Sequence, residues 1–60
     1  MNKEKIEEYE GYDEVKLVLT SGFVIYGKIE AVEEETVHFV SKKAISDIEF
    51  DQIKQIIYRR

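Results

Sequence analysis

Apolar residues return at every second position through most of the chain. "EVKLVLT" puts Val15, Leu17 and Leu19 on one side of an extended backbone. "FVIYGKIEAV" does the same for Phe23, Ile25, Gly27, Ile29 and Ala31, and "TVHFV" for Val37 and Phe39. A period of two marks half-buried strands, and the β-branched and aromatic residues in these runs suit a pleated surface. "TSG", "EEE" and "SKK" interrupt the alternation and predict turns, with Gly22 free to adopt the positive φ of a tight one. Short strands joined by short turns, in a chain without proline, predict a meander that curls on itself.

Gly27 lies inside a predicted strand, where a glycine weakens the strand unless the backbone needs it. The favoured use is a sharp bend or bulge that lets a small sheet close. The alternative is a place where another side chain packs over bare backbone.

The stretch "ISDIEFDQIKQII" obeys neither the strand period nor the helix period throughout. Ile48 and Phe50 share a strand face, whereas Ile53 and Ile56 are three apart, the spacing of one helical turn. The pattern predicts a strand, a single tight 3₁₀-like turn at Asp51, Gln52 and Ile53, and a last strand from Lys54 to Tyr58. Ile45, on the opposite parity from Ile48, marks a kink where the strand begins. Such a turn joins two nearly perpendicular strands without a hairpin, as in small five-stranded barrels. At the other end, "NKEKIEEYEG" reads as a short helix capped by Asn2 and stopped by Gly11, with Ile6 and Tyr9 on one face. So short a helix needs packing on the body; the other reading is a frayed acidic tail. The predicted organisation is one domain over 1–60, with a helix over 1–11 and the strands over 14–58.

Composition changes the picture in three respects. Sixty residues bury only about 60% of the surface that the unfolded chain exposes, so the core is thin and a partner chain is a natural supplement. The absence of cysteine removes disulfides and thiolate metal sites and leaves the cytoplasm as the expected location. The N-terminal segment carries no apolar run of signal-peptide type, and no run is long enough to span a bilayer. The net charge of −4 sits entirely in residues 1–14, which hold six acidic residues and two lysines; the remainder is balanced. Such a body does not advertise phosphate binding overall, but it leaves room for a local basic patch.

No catalytic motif is present. Glu33, Glu34 and Glu35 point alternately on an extended chain and read as a solvated turn rather than a magnesium site. His38, flanked by Val37 and Phe39, faces outward; with no cysteine or suitably spaced acid or nucleophile beside it, it reads as a surface or interface residue. The chain is therefore expected to be non-enzymatic, with neither metal nor cofactor. Lys42, Lys43, Lys54, Arg59 and Arg60 are candidates for a phosphate-binding patch, with Tyr26 or Tyr58 as stacking platforms; the plainer reading of these charges is solubility. If Leu17, Ile25, Ile29, Val37, Phe39, Ile48, Phe50 and Ile56 fill the interior, then Val18, Val24, Tyr26, Val40 and Ile57 face away. That is much apolar surface for a small body, and Val18, Val24, Val40 and Ile57 are the expected oligomer interface. The competing use of this surface is as a seat for the N-terminal helix, through Ile6 and Tyr9.

This layout resembles the Sm-like fold, the superfamily that includes Hfq: an N-terminal helix followed by a five-stranded, strongly bent barrel of the Src-homology-3 type. "LTSGFVIYGKIEAV" resembles the first Sm motif through Gly22, Ile25, Gly27, Ile29 and Val32. "ISDIEFDQIKQI" resembles the second through Ile53 and Ile56, and is closer to the I-x-F-x-x-I-x-x-I ending of YolD-like bacterial proteins. "KKAIS", Lys42 to Ser46, is similar to the "KHAIS" run of Hfq. The resemblance spans Val15 to Ile57. It implies a ring in which the fourth strand of one subunit pairs with the fifth of the next, and an association with RNA.

The departures bear on the site. Where RNA-binding Sm proteins carry an Asp and an Asn after the second strand, this chain has "EEET", Glu33 to Thr36. Where they carry Arg-Gly, it has Glu49-Phe50. A carboxylate only accepts hydrogen bonds and repels phosphate, and replacing arginine by glutamate removes the stacking and phosphate-pairing group. The expected function is a non-catalytic, homo-oligomeric module that associates with RNA through its lysine, arginine and tyrosine residues rather than through the usual Sm pocket. The alternative is a protein-interaction or regulatory module that binds no nucleic acid.

Overall fold

The computed structural model describes residues 1–58. A helix, α1 (Lys3–Glu7), precedes five strands: β1 (Val15–Leu19), β2 (Val24–Val32), β3 (Thr36–Val40), β4 (Ile45–Glu49) and β5 (Ile53–Tyr58). A 3₁₀ turn, Phe50–Gln52, joins β4 to β5. All ladders are antiparallel and form one sheet in the order β4-β3-β2-β1-β5. The Cα extents of 23 × 23 × 19 Å are nearly equal, so the sheet is curled over its own inner face rather than flat.

The curl originates in β2. Its first half, up to Gly27, pairs with β1; its second half, from Lys28, pairs with β3. Gly27 sits at this handover, with the backbone of Val40 passing over its Cα. The predicted bend and the bare-backbone contact are thus the same feature, except that a main chain rather than a side chain lies over the glycine. A second irregularity follows at once. Ile29 faces Phe39 and Ala31 faces His38, which leaves Glu30 as the extra residue of a bulge. The bulge adds twist and resets the parity, so that Val32 packs on the core instead of facing water.

The two ends of the sheet are not hydrogen-bonded to each other: among the described residues no ladder joins β4 to β5. The sheet stays open there, where the sequence predicts a closed barrel. The 3₁₀ turn bridges the opening. The Phe50 amide donates to the Glu35 carbonyl at 2.9 Å, and the Thr20 amide donates to the Gln52 carbonyl at 2.8 Å. The turn thereby ties the β2–β3 loop to the β1–β2 loop. It sits one residue earlier than predicted, because the Glu49 amide donates to the Gln52 side-chain oxygen at 3.1 Å and starts the turn at Phe50.

The core consists of Ile6, Val15, Leu17, Ile29, Val37, Phe39, Ile48, Ile53 and Ile56, with Ile25 and Phe50 packed at its margin. Ile6, Val15 and Ile53 join the predicted interior. Ile53 and Ile56 are both buried although both lie in β5, where a three-residue spacing ought to put them on opposite faces. Leu19 pairs with Ile53 and Val18 with Gln55, so Lys54 is an extra, bulged residue that restores Ile53 to the inner side. A strand bulge, not a helical turn ending at Ile53, accounts for that spacing. Phe23 lies ahead of β2 in the turn and is exposed; its carbonyl accepts from the Leu19 amide at 2.8 Å, while Gly22 holds a φ of 97°.

The helix is shorter than the sequence predicts. Asn2 caps it, its side-chain oxygen accepting from the Lys5 amide at 2.8 Å. After Glu7 the chain continues in turns to Gly11, with the Tyr9 amide on the Ile6 carbonyl and the Glu10 amide on the Glu7 carbonyl. Glu7, Glu8 and Glu10 place negative charge where the helix dipole is already negative, which opposes extension. One turn suffices to bury Ile6 completely.

Candidate nucleic-acid interface

The handover of β2 from β1 to β3 also builds a surface groove. Residues before Gly27 lie beside β1, whereas the strand that flanks Lys28 leads directly into the β3–β4 turn. An open groove of about 750 Å³ runs between them. Val24, Ile25, Tyr26, Gly27 and Val40 line it, with Lys28, Ser41, Lys42 and Lys43 to one side and Asp13 and Glu14 from the segment before β1. Tyr26 is 56% exposed. Ser41 fixes the turn that carries the two lysines: its amide and hydroxyl both donate to the Ala44 carbonyl, at 2.9 and 3.1 Å, and its hydroxyl oxygen accepts from the Ala44 amide. Lys42 and Lys43 are both exposed at its tip.

A second, smaller groove also borders Tyr26 and is lined by Glu14, Lys16, Ile57 and Tyr58 as well. Lys16 stands opposite Tyr26 in the β1–β2 ladder and opposite Ile57 in the β1–β5 ladder. Tyr26 is therefore bordered by lysines in both grooves. Among the described residues, the two surfaces together hold four lysines against two carboxylates, in a chain whose net charge is −4.

The fold thus unites Tyr26 with Lys42 and Lys43 and adds Lys16 and Lys28, which the sequence reading omits. Alternation along β1 and β2 could have found Lys16, because it shares the outward face with Val18; its alignment with Tyr26 requires the ladder register. Lys54 does not join the cluster. It occupies the bulge at the start of β5, near Leu19, whereas the cluster lies toward Val15 and Tyr58 at the other end of that ladder. Arg59 and Arg60 fall outside the described residues.

Tyr58 borders the smaller groove but is engaged from the N-terminal side. Its ring centroid is 5.3 Å from that of Tyr9 and 4.7 Å from that of Tyr12, and Tyr9 and Tyr12 are 5.9 Å apart. These tilted and edge-on geometries are those that aromatic pairs favour. The triad pins the segment after α1 to the end of β5, so the N-terminal region is packed rather than frayed. Tyr58 serves this contact as well as the groove.

The expected interface residues meet at Val24. Val18, Val24 and Ile57 share the outer face of β1, β2 and β5, where Val18 lies directly opposite Val24. Val40 stands on β3 between Lys28 and Ile45 and lines the larger groove beside Val24. Both outer strands of the sheet, β4 and β5, present an unpaired edge among the described residues. Ile45, at the start of β4, is 65% exposed.

His38 has a partner that the sequence reading did not supply. It lies opposite Asp47 in the β3–β4 ladder, and its Nδ1 is 2.5 Å from the Asp47 carboxylate. Asp47 is largely exposed, and the pair is a contact between facing residues of neighbouring strands. Glu33, Glu34 and Glu35 occupy the exposed β2–β3 turn, and Glu34 pairs with Lys3 at 3.5 Å. Among the described residues no three metal-ligating side chains converge, and no helix is long and apolar enough to cross a membrane.

No protein family, no curated protein and no solved structure matches the chain.

Proposed function

We propose that the protein is a non-catalytic, oligomerising binding module of Sm-like type whose Tyr26 surface holds single-stranded RNA. The observation that carries this reading is the placement of an exposed tyrosine among Lys16, Lys28, Lys42 and Lys43 in a chain that is acidic overall. A base stacks on the ring while the ammonium groups neutralise neighbouring phosphates, the arrangement used for single strands. The curled five-stranded sheet, its bend at Gly27 and its 3₁₀ bridge between β4 and β5 support reading the fold as an open barrel of Sm-like type. The free edges support assembly by addition of β4 of one copy to β5 of the next.

Salt dependence of RNA binding tests the reading. Four lysine–phosphate contacts predict a weakening of roughly 50-fold between about 50 mM and about 200 mM salt. The double substitution Lys42→Glu and Lys43→Glu should reduce affinity at low salt at least tenfold. An affinity for RNA too weak to detect at low salt would refute the proposal.

A second reading, a protein-interaction module, is favoured by the apolar outer face of Val18, Val24 and Ile57. Its contacts would respond little to salt and would survive the lysine substitutions.

A further inference from the structure

Among the described residues, Glu14 and Tyr26 are the two that line both grooves. Glu14 is exposed and, among the described residues, forms no ion pair or side-chain hydrogen bond. A carboxylate in a surface that attracts phosphate works against the backbone charge of any nucleic acid. It becomes useful if the ligand presents hydrogen-bond donors to it, since ligands that do not are then disfavoured.

We infer that Glu14 selects guanine. This rests on the RNA reading above. A base stacked on Tyr26 can turn its pairing edge toward Glu14, which lines the same two grooves. An ionised carboxylate offers two acceptor oxygens and no donor. Guanine matches it with two adjacent donors, the ring N1–H and the exocyclic N2 amine, in parallel. Adenine and cytosine each offer one amine beside an acceptor nitrogen. Uracil offers a single N–H between two carbonyls, both of which the carboxylate repels. Reading of unstacked bases by their pairing edges is the usual route to sequence preference in single strands. The lysines supply the affinity that all sequences share, and Glu14 supplies the difference among them.

The test uses three labelled RNAs of about seven nucleotides: all uridine, uridine with one central guanosine, and uridine with one central inosine, which lacks the N2 amine. Fluorescence anisotropy at low salt reads their affinities for the full chain. The guanosine oligomer should bind about five- to tenfold more tightly than the uridine one, as expected for a bidentate pair at an exposed site, with inosine between them. Glu14→Gln, whose amide both donates and accepts, should bring the three within about twofold. Circular dichroism of this variant should match the parent, because Glu14 is exposed. Equal affinities in the parent chain, or a guanine preference unchanged in Glu14→Gln, would overturn the inference and leave RNA binding standing. Failure of all three oligomers to bind would overturn the RNA reading itself.

Discussion

The Cα of Gly27 faces the carbonyl of Val40 across the bend of β2, with no room between them for a methyl group. A Cβ at Gly27 would stand 2.9 Å from the Val40 carbonyl carbon, closer still to its oxygen, and 3.0 Å from the ring edge of Phe39. The atoms in the way are mainly backbone, so no rotamer change relieves the clash. The same contact places the β3–β4 turn, and with it Lys42 and Lys43, beside Tyr26.

Gly27→Ala should therefore cost roughly 3 kcal/mol or more, at or above the usual range for overpacking. A domain of 60 residues has only about 3–9 kcal/mol of stability, so the variant should lose about a third of it or more. Urea denaturation followed by circular dichroism measures this. A midpoint close to that of the parent would show that the bend does not need a glycine.

Ile6 is fully buried against strand residues that lie far from it in sequence. Ile6→Ala should destabilise the whole domain by about 2–4 kcal/mol through lost burial and a residual cavity. The change should appear as a lower thermal midpoint of the single unfolding transition. Loss of the helical signal alone, with the strands unaffected, would mean that α1 is an appendage.

Tyr58 holds Tyr9 and Tyr12 at the end of β5. Each aromatic pair contributes about 0.5–1.5 kcal/mol beyond its burial. Tyr58→Ala should lose about 1–3 kcal/mol and accelerate amide exchange between residues 9 and 12, while Tyr58→Phe should stay near the parent. Equal effects of the two substitutions would transfer the contribution from the ring to the hydroxyl.

These features were unequally legible in the sequence. Alternation was enough for the strands, because a half-buried sheet imposes a period of two on its apolar residues. It failed at two bulges. Glu30 and Lys54 each add one residue to a strand, and that reverses the faces of everything beyond it. The three-residue spacing of Ile53 and Ile56 was visible, but a bulge and a helical turn leave the same trace in the pattern. Barrel closure is not legible in the pattern, because apolar spacing specifies which side of a strand is buried and not whether two edges meet. In the site, Tyr26, Lys42 and Lys43 were legible as residue types. Lys16 was legible as an outward residue, but its place beside Tyr26 depends on register across the sheet, and Glu14 lies before β1, outside the alternation. Val15 and Tyr58 are paired across that register, and this also separates Lys54 from the cluster.

The edges of β4 and β5, unpaired among the described residues, together with exposed Ile45 and Ile57, predict assembly. Sedimentation at micromolar concentration should give a mass that is a multiple of 7.1 kDa. Ile45→Lys and Ile57→Lys together should return the chain to a monomer without unfolding it, because both side chains are exposed. A parent chain that sediments only as monomer would remove the assembly from the account.

The most direct test of the central claim is an amide chemical-shift titration of the labelled chain with a short guanosine-containing RNA at low salt. The account predicts shifts concentrated at Glu14, Lys16, Tyr26, Lys28 and the turn from Val40 to Lys43, with the Glu33–Glu35 turn and Lys54 unmoved. Shifts centred on Lys54 or on the β2–β3 turn, or none at all, would contradict it.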